Sequence, residues 1–342
     1  MAFTYQLLIV SLVWTSLLTD NQTDYKDSYD TSREGLTAQV AIFTERLFSM
    51  KFVTVVLPSI LLVICVVGVS ANFLALLILF NMNKNPTVIF MTNVAMSDLL
   101  LVLELPLMIA YRFLHNSWTF GPFLCYAFVY SFFVNMHVSN LLLTVISADR
   151  YLGIVHPLSA RLWRTSRYAA ALCVLVWVTV IVVDSPLLSI SQTFETRGTN
   201  RTMCMDITSY ADGEKPYHHY MVMVVSFFLL PFCVIVFSHS SIIRHLRTSD
   251  SPGTGARKHR AIVMGAVVMA ILTLSFAPTL IVFLAAVSEI VFSLPNAFHV
   301  LFVMSQWFSF FNCCLNPFIY YFACGPFRSR LRKLLCGRKF SG

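Results

Sequence analysis

Charged residues are scarce in this chain of 342 residues, because Asp, Glu, Lys and Arg together make up only 12% of it. The stretch from Phe113 to Ala148 contains none of the four. Soluble globular domains carry about a quarter charged residues, so a water-soluble fold is excluded. Hydrophobic residues make up 57% of the chain, and their long runs indicate membrane spans.

Other absences narrow the class of protein. The nine cysteines form no C-x-x-C pair and no spacing typical of metal ligands. No internal repeat relates two halves of the chain, which disfavours a membrane transporter. An enzyme needs converging titratable groups, whereas the acids at membrane depth are Asp98, Glu104 and Asp184. We interpret Glu104 and Asp184 as interhelical hydrogen-bond partners and expect no enzymatic activity.

The chain does contain seven apolar runs of membrane-spanning length. Because irregular backbone cannot face lipid, they predict an all-α membrane protein, a bundle of seven transmembrane helices. After the last run, a basic segment with apolar residues on one face predicts a short amphipathic helix on the membrane surface. The runs are Phe52 to Phe80, Thr87 to Tyr111, Phe123 to Val155, Tyr168 to Ile190, Tyr217 to Ile243, Arg260 to Val287 and Phe298 to Phe322, and the amphipathic segment is Gly325 to Leu335.

The distribution of Lys and Arg predicts the orientation of the bundle. Seven spans place the two termini on opposite sides, and 16 of the 24 basic residues lie on the side of the C-terminus. Basic residues are enriched on the cytoplasmic side, so we expect a multi-pass plasma-membrane protein with its N-terminus outside. The net charge of +8 is then a signal of topology, and it does not indicate nucleic-acid binding.

This topology divides the chain into four parts. Residues 1–19 favour a signal peptide, with a weak membrane anchor as the alternative. Residues 20–51 form a polar extracellular tail, residues 52–323 hold the seven helices, and residues 324–342 hold the amphipathic helix and a short cytoplasmic tail.

Candidate covalent modifications follow from the same topology. Asn21 and Asn200 are glycosylation acceptors on the outer side. Cys125 and Cys204 are the cysteines on that oxidising side, which suggests a disulfide between them. Cys336, just past the amphipathic helix, is a candidate for palmitoylation.

An acid and a base, Asp149 and Arg150, end the charge-free stretch of the third span. They belong to a set of short motifs, each weak alone, whose order along the chain is specific. The motifs are Gly68 and Asn72, Ser97-Asp98-Leu99, Trp118, Cys125, Asp149-Arg150-Tyr151, Pro157-Leu158, Trp177, Pro231, Phe276-Ala277-Pro278, and Asn312 to Tyr320. With these motifs the chain resembles the rhodopsin-like (class A) G-protein-coupled receptors over residues 52–336.

The resemblance implies a receptor that couples an extracellular ligand to a heterotrimeric G protein. At rest Arg150 would bond Asp149, and on activation it would turn toward the Gα subunit. The implied coupling residues are Asp149, Arg150, Tyr151, Leu158 and Tyr320, and the implied activation switch is Phe276, Pro278, Asn316, Pro317 and Pro231.

The resemblance also implies a polar network around Asp98, an acid near the middle of the membrane. Oxygen atoms grouped in this way can hold a sodium ion in the resting state, and a polar packing network without an ion is the alternative. The implied members are Asn72, Asp98, Asn135, Ser139, Asn312 and Asn316.

The chain departs from the family pattern at several restraints on Arg150. Phe276 replaces the usual Trp and His239 the usual Tyr, and the inner end of span six carries bases but no acid. We therefore expect measurable activity without ligand.

Ligand classes can be excluded more firmly than assigned. Phe132 and Phe310 stand where aminergic receptors carry an Asp and opsins a Lys, so a biogenic amine and retinal are excluded. Few bases line the expected pocket, which disfavours a nucleotide and favours an acidic, lipid-like molecule or a lipid conjugate with a peptide. The pocket is expected to comprise Tyr111, Arg112, Phe132, Phe133, Phe283, His299, Gln306 and Trp307.

Segments such as Ile146 to Ser159 and Arg161 to Arg164 resemble the G-protein-coupled purinoceptor branch, near its member-eight type and beside the protease-activated receptors. That branch implies the twelve/thirteen class of Gα, with Gi as the runner-up. A protease-activated receptor, cut after Arg33 or Arg46, remains an alternative, as does a nucleotide-binding purinoceptor.

Overall fold

The computed structural model describes residues 52–195, 201–204, 222–248, 262–270 and 310–336, together with residues 255, 259 and 273. Within these residues, five helices are long and apolar enough to cross a membrane, and they coincide with the first five predicted spans. Most of the sixth predicted span and the first part of the seventh lie outside the described residues. The five helices are Thr54–Phe80, Pro86–Phe113, Gly121–Val155, Ser166–Ser189 and Val222–Arg247.

Several of these spans combine an α-helix with a tighter or wider turn. A π-helical turn, Phe52–Val56, opens the first span, and another, Val225–Leu229, directly precedes Leu230-Pro231 in the fifth. A 3₁₀ turn, Ser185–Ser189, ends the fourth. The α-helices are α1 Leu57–Phe80, α2 Pro86–Phe113, α3 Gly121–Val155, α4 Pro157–Trp163, α5 Ser166–Asp184, α6 Leu230–Arg247, α7 Asn312–Ala323 and α8 Gly325–Leu335.

Helix α3 is the central element of the bundle. In the most apolar stretch of α3, 78% of the residues are buried by other parts of the protein. The corresponding share is 33% in the spans that contain α1 and α5, so most residues of those stretches face outward. Helix α3 packs against α2, α5 and α6, and α2 packs against α1 and α7. Groups on α3 can therefore reach these three described spans. Helices α1 and α5, in contrast, present large apolar side chains to the surroundings, as membrane helices do.

Helices α1 and α2 approach each other closely at Gly68. A Cβ atom built at this position would lie 2.7 Å from Cγ1 of Val102 and 3.5 Å from Sγ of Cys313. Only glycine leaves the room that α1, α2 and α7 need to meet here, which is the use of small residues at membrane helix interfaces.

Among the described residues, the fold also contains two short elements that the sequence does not predict. One is a two-stranded antiparallel hairpin, β1 Thr193–Glu195 and β2 Thr202–Cys204, at the end of the bundle where α3 begins. The other is α4, a helix of two turns between α3 and α5. Helix α8, in contrast, begins and ends at the predicted residues, with Phe327 buried against the ring of Tyr320.

The predicted disulfide between Cys125 and Cys204 is present, with the two Cα atoms 5.8 Å apart. It joins the second turn of α3 to β2. The backbone amide of Trp118 also donates to the carbonyl of Thr202 at 2.7 Å. We call this end of the bundle the disulfide end and the opposite end, where Arg150 lies, the arginine end.

Candidate functional site

The arginine end is built from the last turns of α3 and the elements that surround them. Asp149 and Arg150 precede the end of α3 at Val155 by less than two turns, and α4 begins at Pro157 after the break at His156. Proline at the first position of α4 is compatible with a helix start because no amide is needed there. The chain thus turns immediately after the predicted coupling residues.

The carboxylate of Asp149 is held by two other elements. Arg164 donates from Nε to Oδ1 at 2.7 Å and from Nη2 to Oδ2 at 2.9 Å, and Thr87 donates its hydroxyl to Oδ2 at 3.2 Å. The sequence does not predict these two partners, and the expected contact of Asp149 with Arg150 stays a prediction. A paired arginine fork is the geometry that matches a carboxylate best, and it comes from a residue 15 positions later.

Tyr151 and Leu158 face different surroundings at this end. The hydroxyl of Tyr151 lies 3.0 Å from Nε2 of His156, and its ring packs edge-on against Phe237 of α6. Leu158, in the first turn of α4, is 80% exposed. Single exposed apolar side chains are common on protein surfaces, so this exposure leaves Leu158 accessible to a partner but does not by itself identify one.

A crevice of about 400 Å³ opens beside Arg150. It is bounded by the first residues of α2, by Arg164 and by the junction of α7 and α8. Its lining residues are Asn85, Pro86, Thr87, Arg150, Arg164, Cys324, Gly325 and Pro326.

His239 of α6 lies close to α3 and to the helical residues 262–270. Its Nε2 atom is 3.4 Å from the hydroxyl of Ser147. A Cβ atom at Gly265 would lie 3.0 Å from the His239 ring, so the absence of a side chain at Gly265 allows the segment 262–270 to approach α6.

Tyr320, fully buried on α7, packs against Phe327 of α8. Of the expected switch residues, Pro231 and Pro317 lie within described helices, whereas Phe276 and Pro278 lie outside the described residues.

The predicted polar network is partly assembled around Asp98. Asn316 donates from Nδ2 to Oδ2 of Asp98 at 2.8 Å and to the hydroxyl of Ser139 at 3.0 Å, which joins α7, α2 and α3. All three side chains are at most 1% exposed. A buried acid at membrane depth requires such partners.

Other predicted members of the network bind elsewhere. Asn72 donates to the carbonyls of Gly68 and Cys313, at 3.0 and 2.8 Å. Asn135 donates to the carbonyl of Ser97 and, at 2.7 Å, to its hydroxyl. Among the residues that the structure describes, the atoms that are buried here without a protein hydrogen-bond partner are Oδ1 of Asn72, Asn312 and Asn316 and the hydroxyl of Tyr320. Buried polar oxygens of this kind normally bind water or a hard cation.

A second buried polar contact lies between α3 and α5. Nδ1 of His137 is 2.9 and 3.1 Å from the two carboxylate oxygens of Asp184, and the imidazole ring stacks on Phe227. Glu104 of α2 accepts a hydrogen bond of 2.5 Å from Ser131 of α3. These contacts agree with the interpretation of Glu104 and Asp184 as interhelical hydrogen-bond partners. The sequence does not predict that His137 is the partner of Asp184, because it shows only a histidine within an apolar run.

At the disulfide end, two predicted pocket residues are buried rather than open. Arg112 is 1% exposed, donates to Oδ1 of Asn116 at 2.9 Å and lies over the ring of Tyr111. The hydroxyl of Tyr111 accepts from the amide of Cys204 at 3.4 Å.

Other predicted pocket residues are aromatic and lie deeper in the bundle. Phe132 packs against Phe310 with ring centroids 4.9 Å apart. Phe133 lies against Phe132, while Phe283, His299, Gln306 and Trp307, like the glycosylation acceptors Asn21 and Asn200, are outside the described residues.

The comparisons with known proteins agree with this architecture. A family model described as 7 transmembrane receptor (rhodopsin family) matches residues 71–320. Proteinase-activated receptor 1 of Xenopus laevis is 32% identical over 313 residues, which cover 91% of this chain and 74% of that receptor.

Two further relatives come from the purinoceptor branch. The S-geranylgeranyl-glutathione receptor of Homo sapiens is 32% identical over 84% of this chain and 81% of that receptor. Purinoceptor 8 of Gallus gallus is 30% identical over 83% of this chain and 81% of that protein. The three relatives cover 83–91% of this chain, and the matched proteins are receptors. The chain therefore belongs to the rhodopsin family of seven-transmembrane receptors.

Proposed function

We propose that this receptor converts the binding of an extracellular ligand into nucleotide exchange on a Gα subunit. The observation that carries the proposal is the form of the arginine end. Arg150 lines an open crevice there, and Leu158 is 80% exposed on the adjoining helix α4. In this proposal Asp149, Arg150, Tyr151 and Leu158 contact Gα, and Tyr320 supports the active state.

The arginine end is taken to be cytoplasmic. Sixteen of the 24 Lys and Arg residues lie on that side of the predicted topology, and such residues orient membrane proteins. The N-terminus and the disulfide end would then face outward at the plasma membrane, where an extracellular ligand binds and disulfides persist. Cys336, exposed just after α8, would be open to palmitoylation on the inner side.

Nucleotide exchange on membranes that contain the full-length receptor tests the coupling. Leu158→Ala should lower the exchange rate several-fold, because it removes an apolar contact with Gα. Leu334→Ala is the matched control, since Leu334 is an exposed leucine on α8 at the same end. Equal rates for the two variants would exclude Leu158 from the interface, and no exchange with any Gα class would reject the coupling itself.

The ligand class supported best is an acidic, lipid-like molecule or a lipid conjugate of a peptide. The apolar rings of Phe132, Phe133 and Phe310 near the disulfide end suit a lipid chain. A human relative that is 32% identical is a receptor for S-geranylgeranyl-glutathione, which has this chemistry. The remaining pocket residues of the proposal are Tyr111, Arg112, Phe283, His299, Gln306 and Trp307.

A second candidate is activation by a protease, because proteinase-activated receptor 1 of Xenopus laevis is as similar to this chain. A nucleotide ligand is the third, on the likeness to purinoceptor 8 of Gallus gallus. Cells that express the full chain with a Rho reporter would be exposed to S-geranylgeranyl-glutathione, to nucleotides and to a protease that cuts after arginine. A conjugate response that survives Arg33→Gln with Arg46→Gln supports the lipid proposal. A protease response that this double variant abolishes supports the second candidate.

The Gα subunit is proposed to be of the twelve/thirteen class, with Gi as the runner-up, on branch resemblance alone.

The network of Asp98, Ser139 and Asn316 supplies the carboxylate, hydroxyl and amide oxygens that a hard cation binds. We include an allosteric sodium ion at this network in the proposal. Such an ion would stabilise the resting arrangement of α2, α3 and α7 by neutralising the buried carboxylate.

A further inference from the structure

We infer that Arg164 is a positioning residue for G-protein coupling, because it draws the carboxylate of Asp149 away from Arg150. The inference rests on the proposed coupling of Arg150 to Gα. Arg164 follows directly after α4, and in the sequence it counts only as one of the cytoplasmic bases.

The contact is specific in its geometry. Two parallel bonds, of 2.7 and 2.9 Å, run from the guanidinium group of Arg164 to the two oxygens of Asp149. The side chain of Asp149 is 7% exposed and that of Arg164 33% exposed, so the pair is partly shielded from water. With the hydroxyl of Thr87 as a third donor, most of the accepting capacity of the carboxylate is used.

The end of α3 provides the space for this guanidinium group. A Cβ atom at Gly153, one turn after Asp149, would lie 2.7 Å from Nη1 of Arg164 and 3.1 Å from its Cζ atom. The backbone amide of Arg164 also donates to the carbonyl of Ala160 at 2.9 Å, which ties the residue to the last turn of α4. The position of Arg164 is therefore fixed from two sides.

Arg150 and Arg164 line the same crevice. Both lie beside Asp149, Arg150 as its neighbour in the chain and Arg164 as its hydrogen-bonded partner. A carboxylate that is already paired attracts a second guanidinium group less strongly, because part of its charge is neutralised. Arg164 thus lowers the free energy needed to move Arg150 toward Gα. Without Arg164, the full charge of Asp149 would act on Arg150 and hold it in the resting position.

A double-mutant cycle on the full-length receptor tests this role. Ligand-free nucleotide exchange would be measured for the wild type, Arg164→Gln, Asp149→Asn and the double variant in membranes with each Gα class. Arg164→Gln should lower exchange by about fivefold, the equivalent of a partly exposed ion pair. In the Asp149→Asn background the same change should have no effect, because no charge is left to compete for. Arg164→Lys, which keeps the charge but loses the fork, should lie between the wild type and Arg164→Gln.

Arg167→Gln is the matched control, since Arg167 is an exposed arginine three residues further along. The inference is overturned if Arg164→Gln leaves exchange unchanged or raises it. It is also overturned if exchange falls equally in both backgrounds, because that result indicates a purely structural role for the loop. If Asp149→Asn exchanges nucleotide and the wild type does not, the coupling is supported but Arg164 fails to release Arg150. If neither exchanges with any Gα class, the proposed function itself is rejected.

Discussion

At the scale of single residues, two of the buried acids have partners on other elements of the fold. Asp149 is bound by Arg164, which is 15 residues later, and Asp184 by His137, which is 47 residues earlier. The reason is physical. Neighbours on a helix point about 100° apart, whereas a side chain on a facing helix can point directly at the acid. Sequence alone therefore identifies which acids need partners better than it identifies the partners.

The contact between His137 and Asp184 gives a prediction about stability. Both side chains are almost fully buried, at 4% and 0% exposure. Asp184→Ala should lower the free energy of unfolding by about 1–3 kcal/mol, because the imidazole nitrogen is left buried without its acceptor. Thermal unfolding of the purified full-length receptor measures the effect.

Two further variants test whether the unpaired imidazole explains the lower stability of Asp184→Ala. Ser185→Ala, at an exposed position next to Asp184, should leave the unfolding temperature nearly unchanged. Replacing both partners, as His137→Phe with Asp184→Leu, should recover part of the stability, since no buried group is then unsatisfied. A double variant less stable than Asp184→Ala would contradict the explanation.

At the scale of elements, the long helices and α8 follow from the sequence, and the short elements do not. Helix α8 matches its predicted bounds because Gly325-Pro326 marks a start and its apolar face has a helical period. The strands of the hairpin have only three residues each, too few to show an alternating pattern. Helix α4 has seven residues, and it forms where the chain must turn back from α3 to α5.

The close approach of α1 and α2 can be tested with one methyl group. Gly68→Ala places a Cβ atom 2.7 Å from Cγ1 of the buried Val102, so either this side chain or the two helices must shift. We expect a loss of about 1–3 kcal/mol from overpacking, although alanine is the better helix former. Gly255→Ala is the control, because no atom of the described residues lies within 4 Å of its Cβ position. The unfolding temperatures of the two variants measure the effect. Equal values would show that the contact at Gly68 accommodates a methyl group without loss of stability.

The disulfide connects two elements, α3 and the hairpin, and closes a loop with a sequence separation of 79 residues. Removing it with Cys125→Ala and Cys204→Ala should lower stability by about 2–5 kcal/mol and reduce the amount of receptor at the cell surface. Cys233→Ala, at an exposed cysteine on α6, should have little effect on either quantity. Surface labelling together with thermal unfolding distinguishes a loss of stability from a loss of trafficking alone.

At the scale of the whole molecule, charge and hydropathy act on different parts of the chain. Hydropathy sets the spans, and the described helices coincide with the first five of them. Charge distribution sets the orientation, which a bundle of helices without its membrane leaves open. The polar groups inside the bundle form a third layer, in which Asn316 joins α2, α3 and α7 through Asp98 and Ser139. This layer could be anticipated as a set of residues, but not as a set of bonds, because Asn72 and Asn135 bind backbone and Ser97 instead.

The predicted orientation yields a test on intact cells. An epitope placed before residue 52 should be accessible to antibody without permeabilisation, whereas one placed after residue 336 should require it. The reason is that moving 16 basic residues to the outer side would oppose the retention of Lys and Arg in the cytoplasm. Asn21→Gln and Asn200→Gln should each remove a glycosidase-sensitive increment of mass, because both acceptors would then be exposed to the lumen of the secretory pathway. Asn116→Gln is the control, because Asn116 is not part of a glycosylation motif and its replacement should leave the glycosidase-sensitive mass unchanged. Antibody access to the tail in unpermeabilised cells would invert the topology, and with it the assignment of the arginine end to Gα.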